Sequence, residues 1–245
     1  MKLLMRYIVA TFGLLLVALG ISLSVVSNLG TSALSCPPYV LSLKFGLTLG
    51  EFTVIVNTCL ILIQLAVLRG RFKVKYLLQI LASVVFGYMI DMWNLVVAFI
   101  VPSSLLVRFL YILSGCVITA FGVSIEVAAE AWMLSAEMTV YAFTKVIDKP
   151  FGTLKIWMDC IWVVLAAILS FVFFGNPLGQ GEFTSLWDCL LARTPGMVIG
   201  LGTIILAILP GYLMKFTDPF VGDTLRRRFS AATGSGKWRT TVSGK

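Results

Sequence analysis

The sequence contains no histidine, and only 12% of its 245 residues are charged. Histidine is the commonest proton carrier near neutral pH, so any proton coupling would have to use carboxylates. The five cysteines stand singly, without a C-x-x-C pair, which argues against a zinc site, a haem or a redox pair. We therefore expect no metal and no cofactor, and we interpret the cysteines as small apolar packing residues.

Apolar residues are what the chain has in excess, at 59% of its length. A soluble domain cannot hide that much apolar surface, so the composition indicates a membrane protein. Backbone groups in lipid must be paired within the chain, and the alternation of a barrel is missing, so we predict an all-α membrane protein. The net charge of +8 indicates no nucleic-acid partner, because the basic residues cluster at helix ends, where they mark topology.

Several apolar stretches are long enough for transmembrane helices, which need about 20 residues. They cover residues 7–26, 50–68, 76–93, 105–128, 152–174 and 196–216. Two shorter segments, 33–45 and 135–147, would form helices of about 20 Å, short of the roughly 30 Å hydrocarbon core. Glycine and proline interrupt both segments at their edges, which is typical of re-entrant or discontinuous helices at a binding site.

The two halves of the chain resemble each other at a single ungapped offset of 102 residues. This offset aligns identical residues at Gly13, Ala18, Gly20, Ser22, Val25, Tyr39 and Gly50 of the first half. It also aligns Asn57 with Asp159. We interpret the chain as two diverged copies of one membrane unit, residues 1–103 and 104–217, followed by a basic cytoplasmic tail, 218–245.

The distribution of charge predicts how the two copies are oriented. If the short segments enter the membrane and return, the second copy is inserted upside down and most basic residues lie on the cytoplasmic side. If they span instead, giving eight helices and parallel repeats, the basic loop 69–75 falls outside. We favour two inverted repeats with six transmembrane helices, two short re-entrant helices and both termini in the cytoplasm.

Polar residues inside the long apolar stretches are candidates for binding a solute. Asp159 lies about two turns into its helix, where a carboxylate costs about 2.5–3.5 kcal/mol on insertion and commonly marks a pathway. The alternative for Asp159 is a polar contact that locks two helices together. Asn57 holds the matching position in the first copy. Lys155, one turn before Asp159, could pair with it or extend to water at the helix end.

The short segments add further candidates. Glu137 falls in the first turn of the second one, where it is a solute or proton ligand if that end reaches the membrane centre, and only a cap if it stays at the surface. Thr31 and Ser32 are the matching candidates for capping the first short helix. Tyr39 and Tyr141 hold equivalent positions in the two segments and suit either lining a cavity or packing.

Two further patterns have simpler interpretations. Glu126 and Glu130 fall near the predicted cytoplasmic interface, where we expect solvation rather than a specific role. Gly196 and Gly200 form a G-x-x-x-G pattern, which predicts close helix contact within the chain, with homodimerisation as the second interpretation.

Several motifs are similar to those of the YczE/YitT-like family of bacterial membrane proteins. They are residues 28–32, 38–42, 49–53, 78–79, 86–91 and 155–159, together with Glu137 and Gly202-Thr203. The likeness runs from about residue 7 to residue 217. It departs from the family at Ala33, where a proline is usual, and around Glu137, where Pro-Gly-Glu-Gly is usual. The resemblance implies this architecture and a bacterial inner membrane, without a substrate.

The sequence favours a transporter or permease for a small polar solute, bound between the two short helices, with coupling to protons through the buried carboxylates left open. A passive, aquaporin-like channel is an alternative because paired re-entrant helices also build pores, and a scaffold in a membrane complex is another. We do not expect an enzyme, because no nucleophile–base pair or metal-ligand set appears at a usable spacing. The expected partners are the lipid bilayer and the solute.

Overall fold

The computed structural model describes residues 2–68, 77–100, 102, 104–129, 134–144, 147, 151–180, 198–217, 221 and 225. The helices in these ranges are α1 (Lys2–Ser27), the 3-10 turn η1 (Ala33–Ser35), α2 (Cys36–Phe45), α3 (Leu49–Leu68), α4 (Leu78–Val97), α5 (Leu105–Ala129), α6 (Ser135–Thr144), α7 (Phe151–Phe174) and α8 (Leu201–Thr217). Within the described residues, α1, α3, α4, α5 and α7 are long and apolar enough to cross a membrane. The chain is an all-α membrane protein, as its composition predicts.

The two segments predicted to be short do form short helices. Together η1 and α2 cover the predicted 33–45, and α6 begins at the predicted residue 135. At 10 residues each, α2 and α6 are about 15 Å long and cannot cross a hydrocarbon core of about 30 Å. The last predicted span is represented by α8, which has 17 residues and Pro210 inside it. Most of the predicted tail lies outside the described residues.

Local sequence accounts for the ends of α2 and the start of α3. Pro37 and Pro38 open α2, where their missing N–H groups are not needed, and Gly46 closes it with φ +72°. Thr48 and Glu51 then cap α3 reciprocally: the Thr48 N–H donates to Glu51 Oε2 at 2.8 Å, and the Glu51 N–H donates to Thr48 Oγ1 at 3.0 Å. These contacts fix where α2 ends and where α3 begins.

The helices α1 and α5 form the most extensive helix contact in the described part of the chain. Gly13 of α1 faces Gly122 of α5, and Gly20 faces Gly115; a β-carbon built on any of the four would lie 2.8 or 2.9 Å from the carbonyl oxygen of the opposite glycine. Only glycine allows backbones this close. Because the earlier glycine of α1 meets the later glycine of α5, the two helices run antiparallel.

Four other helices, α2, α3, α6 and α7, pack in a closed ring. The long helix α3 contacts both short helices, and the long helix α7 contacts the same two short helices. The short helices therefore separate the long ones. Outside the ring, α4 packs against α3 and α1, and α8 packs against α5.

Aromatic contacts at one end of the ring fix the directions of its long helices. Phe45, at the end of α2, lies edge-on against Phe173 with ring centroids 5.4 Å apart, and 6.3 Å from the ring of Phe52. Lys44 lies 5.9 Å above the Phe173 ring. Phe52 is near the start of α3, whereas Phe173 is near the end of α7. The helices α3 and α7 therefore run in opposite directions.

The linker between α1 and η1 is joined to the start of α8. The Leu29 carbonyl accepts the Gly202 N–H at 2.8 Å. Gly30, at φ +108°, and Gly200 lie so close that a β-carbon on Gly30 would be 2.7 Å from the Gly200 nitrogen. Gly200 thus makes a close contact within the chain, but it does so just before α8 and with a non-helical linker, so it is not the helix contact predicted from the G-x-x-x-G pattern; Gly196 lies outside the described residues.

Candidate functional site

The residues predicted to bind a solute all belong to the ring or to the segment that enters it. Thr31 and Ser32 precede η1, Tyr39 is in α2, Asn57 is in α3, Glu137 and Tyr141 are in α6, and Lys155 and Asp159 are in α7. Glu137 falls in the first turn of α6, as predicted. The side chains of Glu137, Tyr141 and Lys155 lie outside the described residues.

Thr31 and Ser32 hold the start of the first short helix. Thr31 is fully buried; its Oγ1 lies 3.0 Å from the Ser24 hydroxyl, and its N–H donates to the Val198 carbonyl at 3.1 Å. Ser32 does stand at the N-cap of η1, but its hydroxyl donates to Ser35 Oγ at 2.8 Å and caps no backbone N–H. The prediction that the Ser32 side chain caps the helix is therefore wrong, because its hydroxyl is bonded to the Ser35 hydroxyl and not to a backbone N–H.

Glu126 holds the start of the second short helix. It is only 2% exposed, and its Oε1 accepts the Leu134 N–H at 2.8 Å, just before α6. The predicted solvation of Glu126 at an interface is therefore wrong, while Glu130 lies outside the described residues. The offset of 102 residues aligns Glu126 with Ser24, which is bonded to Thr31. That alignment was the signal in the sequence that could have identified Glu126.

A buried polar network joins α3, α4 and α6, and the sequence analysis did not identify it as a site. The side-chain amides of Gln64 and Gln79 are paired reciprocally, with both N···O distances 3.2 Å. Gln64 Nε2 also lies 3.0 Å from the Ser135 carbonyl and from Thr139 Oγ1. The hydroxyls of Ser83 and Ser135 are 3.3 Å apart. All five side chains are buried, so the network holds the start of α6 against α3 and α4.

The equivalent contact in the other half of the ring is apolar. Between α2 and α7, the buried side chains of Cys36, Val40 and Ala166 form one cluster with Val198 and Ile199. The offset aligns Ala166 with Gln64, so an alanine stands where the first half has the central amide. Side-chain amides therefore add hydrogen bonds to the packing of α6, whereas the contact between α2 and α7 is mainly apolar.

Asn57 lies on the buried face of α3 and is 1% exposed. Its Nδ2 has no hydrogen-bond partner in the part of the chain that the structure describes. On the same face, one turn earlier, the hydroxyl of Thr53 donates to the Leu49 carbonyl at 2.7 Å, and Gln64 is fully engaged in the amide pair. The amide of Asn57 thus differs from its polar neighbours on that face in having an unused donor.

Asp159 and Tyr39 are the other predicted site residues whose side chains are described. Asp159 is half-buried on α7, whose main packing partners in the described residues are the two short helices. Tyr39 is partly buried and packs against two apolar clusters, one built mainly from α1 and α4 and the other from α2, α7 and residues 198–199. A role for either residue in binding a solute stays a prediction.

Metal ligands are not grouped in the part of the chain that the structure describes. No three His, Cys, Asp or Glu side chains there come together closely enough to hold a metal ion. The chemistry available to the described side chains of the ring is therefore hydrogen bonding by hydroxyl and amide groups, with Glu51 of α3 and Asp159 of α7 as carboxylates, while Glu126 reaches the start of α6 from α5.

Comparison with known proteins gives one family and two relatives. The model of a family described as "Family of unknown function (DUF6198)" matches residues 4–219. The uncharacterized protein YyaS of Bacillus subtilis (strain 168) is 28% identical over 218 residues, which is 89% of this chain and 94% of YyaS. The uncharacterized membrane protein YczE of the same organism is 26% identical over 221 residues, or 89% of this chain and 87% of YczE.

No solved structure matches the chain. The resemblance to YczE-like bacterial membrane proteins predicted from the sequence motifs is confirmed by the family match and by both relatives.

Proposed function

The chain belongs to the DUF6198 family, a family of unknown function, and from that premise we propose that it transports a small polar solute across the membrane without altering it chemically. The observation that carries the proposal is the ring in which α2 and α6 separate α3 from α7. Every residue predicted to bind a solute belongs to that ring or to the segment entering it. Transporters bind their solutes where short or discontinuous helices meet near the bilayer midplane.

The proposal includes an inverted repeat. Two observations support it: α1 and α5, which the offset aligns, run antiparallel across the glycine contacts, and α3 and α7, which it also aligns, run in opposite directions. Parallel copies would place equivalent helices in the same direction. An inverted pair lets one half rearrange against the other around a fixed site, which is the basis of alternating access.

Two serine contacts, one joining α1 to α4 and the other joining α5 to α8, give further support. The Ser22 hydroxyl donates to the Ile90 carbonyl of α4 at 3.4 Å. Ser124, the residue that the offset aligns with Ser22, lies 2.7 Å from the Thr217 hydroxyl of α8. The same residue type thus joins equivalent helices in each half, as expected of two copies that keep one internal packing.

With α8 as the sixth span, we propose that both termini lie on the cytoplasmic side of a bacterial inner membrane and that the Phe45 end of α2 lies on the outer side. Labelling with a membrane-impermeant thiol reagent tests the orientation, in a chain whose own cysteines are replaced. Applied to intact cells, the reagent should react with Ser104→Cys and not with Phe72→Cys. The opposite pattern would contradict the orientation and leave the inverted repeat itself standing.

Uptake into proteoliposomes tests transport. We would measure the flux of labelled amino acids, amines and small organic acids with the wild type, Asp159→Asn and Glu137→Gln, using the exposed Ser114→Ala as the matched control. We expect saturable uptake of at least one class, lowered about tenfold or more in both site variants and unchanged in the control. Wild-type flux in both variants would remove these residues from the site.

Two other outcomes would favour the alternative functions. Flux that rises in proportion to solute concentration, without saturation and without dependence on an ion gradient, would favour a channel. No flux for any solute class, together with stable co-purification of another membrane protein, would favour a scaffold.

A further inference from the structure

We propose that the side-chain amide of Asn57 donates a hydrogen bond to an oxygen atom of the solute, which makes the solute a small molecule with a carboxylate or carbonyl group. This inference rests on the transport function proposed above and names the class of solute that the same site takes.

The unused donor of Asn57 is the first observation. Among the described residues, Asn57 Nδ2 is the one fully buried side-chain nitrogen or oxygen atom that lacks a hydrogen-bond partner. Such atoms are rare in folded proteins, because the group loses its hydration and gains nothing in return. A molecule that brings an acceptor atom to Nδ2 removes this penalty, because the hydrogen bond missing in the empty protein is made in the solute-bound protein.

The position of Asn57 is the second observation. Gly50 lies seven residues before it and Gln64 seven residues after it, so all three share one face of α3, about 10 Å apart along the helix. Both flanking positions are occupied by contacts to α4: the Gly50 N–H donates to Asp91 Oδ1 at 2.8 Å, and Gln64 pairs with Gln79. Asn57 therefore carries the unpaired buried nitrogen of this face, near the middle of a helix long enough to cross the membrane.

The chemistry of an amide nitrogen defines the solute class. Nδ2 can only donate, so it selects a molecule with an acceptor oxygen and gives nothing to an ammonium group, which has no acceptor. A carboxylate oxygen is the strongest acceptor because a hydrogen bond to an ionised group is roughly twice as strong as one between neutral groups. The inference leaves room for an amine elsewhere on the same molecule, facing a carboxylate such as Asp159.

A pair of leucine variants tests the unpaired donor without knowledge of the solute. Asn57→Leu removes a buried amide that has no partner, whereas Gln64→Leu removes one that is bonded, on the same face of the same helix. We expect Asn57→Leu to keep or raise the Tm, and Gln64→Leu to lower it by roughly 2–10 °C. If Asn57→Leu is destabilised as much as Gln64→Leu, Asn57 is bonded in the empty protein and the inference is wrong.

Three probes of similar size test the class of ligand. Acetate offers acceptors only, acetamide offers acceptor and donor, and ethylammonium offers donors only. In thermal unfolding of the purified protein, we expect acetate and acetamide to raise the Tm of the wild type and of Ser114→Ala, and neither to do so for Asn57→Leu. A shift by ethylammonium alone, no shift by any probe, or a shift that persists in Asn57→Leu would each overturn the inference.

Flux measurements separate this inference from the transport proposal. In proteoliposomes, Asn57→Leu should lower the uptake of a transported carboxylate or carbonyl solute about 10- to 100-fold, which corresponds to the loss of one hydrogen bond to a charged group. Unchanged uptake by a correctly folded Asn57→Leu would refute the role of Asn57 and leave transport standing. Acetate binding that depends on Asn57, in a protein that moves no solute, would refute transport and leave the binding site standing.

Discussion

In the first half of the chain α4 covers α3, whereas in the second half the corresponding helix α8 does not cover α7. On α3, the Val54 side chain fills the space beside Gly87 of α4, and a β-carbon on Gly87 would lie 2.6 Å from it. The offset aligns Val54 with Ile156 of α7, which is 64% exposed. Both helices are long and apolar. Burial along α3 and α7 is thus set by their neighbours and cannot be read from their own patterns.

The connections from α3 to α4 and from α7 to α8 account for this difference. In the first half, α3 and α4 are separated by residues 69–77, and Gly50 packs directly against Gly87. In the second half, residues 175–200 intervene, and α8 packs against α5 and the Leu29 linker instead of covering α7. The longer connection allows α8 to pack away from α7, the helix that precedes it in the sequence.

The largest effect is expected where the first half is most closely packed. In Gly50→Val, the β-carbon would overlap the Gly87 carbonyl oxygen and displace the Asp91 carboxylate from the start of α3. We expect a loss of about 3 kcal/mol or more in the free energy of unfolding, because backbone atoms cannot move aside as a flexible side chain can. Thermal unfolding and the yield of monodisperse protein measure it, and wild-type values for both would contradict the closeness of the α3–α4 contact.

A smaller effect is expected from the polar network of α3, α4 and α6, whose counterpart between α2 and α7 is an apolar cluster. Gln64→Leu leaves Gln79 with an unpaired buried amide and should cost about 1–3 kcal/mol of unfolding free energy. Replacing both glutamines by leucine removes donor and acceptor together, so the double variant should recover most of that loss. Chemical unfolding of the single and double variants gives the coupling energy. Additive losses would mean that the two amides do not depend on each other.

Glu126 and Ser24, which the offset aligns, each contact the residues just before a short helix. Substituting them therefore compares how the two halves hold their short helices. Glu126→Leu removes a carboxylate that accepts the Leu134 N–H and should cost about 1.5–3 kcal/mol, whereas Ser24→Ala removes a neutral hydroxyl contact and should cost about 0.5–1.5 kcal/mol. Glu126→Gln keeps an acceptor and serves as the control. If Glu126→Leu and Glu126→Gln are equally stable, the carboxylate does not hold α6 through that bond.

The smallest effect concerns the exposed face of α7. Ile156→Ala should change the free energy of unfolding by no more than about 0.5 kcal/mol, because its side chain is largely exposed. Val54→Ala, at the aligned position, should cost about 1–2 kcal/mol because Val54 fills the space beside Gly87. Thermal unfolding in the same detergent compares the two. Equal losses would mean that the faces of α3 and α7 are buried alike, contrary to the difference described above.

The helices were predictable from the sequence because the bilayer fixes their length. Hydropathy placed α3, α5 and α7 within one or two residues, and glycine and proline identified the segment from Ala33 to Phe45. The end of α4 was less certain: it continues to Val97, four residues beyond the predicted span, since no breaker marks its end.

The polar contacts were not predictable in the same way, because their partners are distant in the sequence. Gln64 contacts Thr139, 75 residues away, and nothing near either residue indicates the other. Glu126 was misread since a carboxylate near a helix end usually reaches water, and only the folded chain encloses it beneath the Leu134 N–H. Asn57 was a candidate from its alignment with Asp159, but its unused donor follows only from the packing around it.

The crossing of α1 and α5 has a consequence for how such a chain can arise. Gly13 meets Gly122 and Gly20 meets Gly115, and the offset of 102 residues converts either contact into the other. A single helix with two glycines seven residues apart therefore makes both contacts when it meets an antiparallel copy of itself. Under the inverted repeat proposed above, a half-length ancestor inserted in both orientations would already have had this crossing before its two copies were joined in one chain.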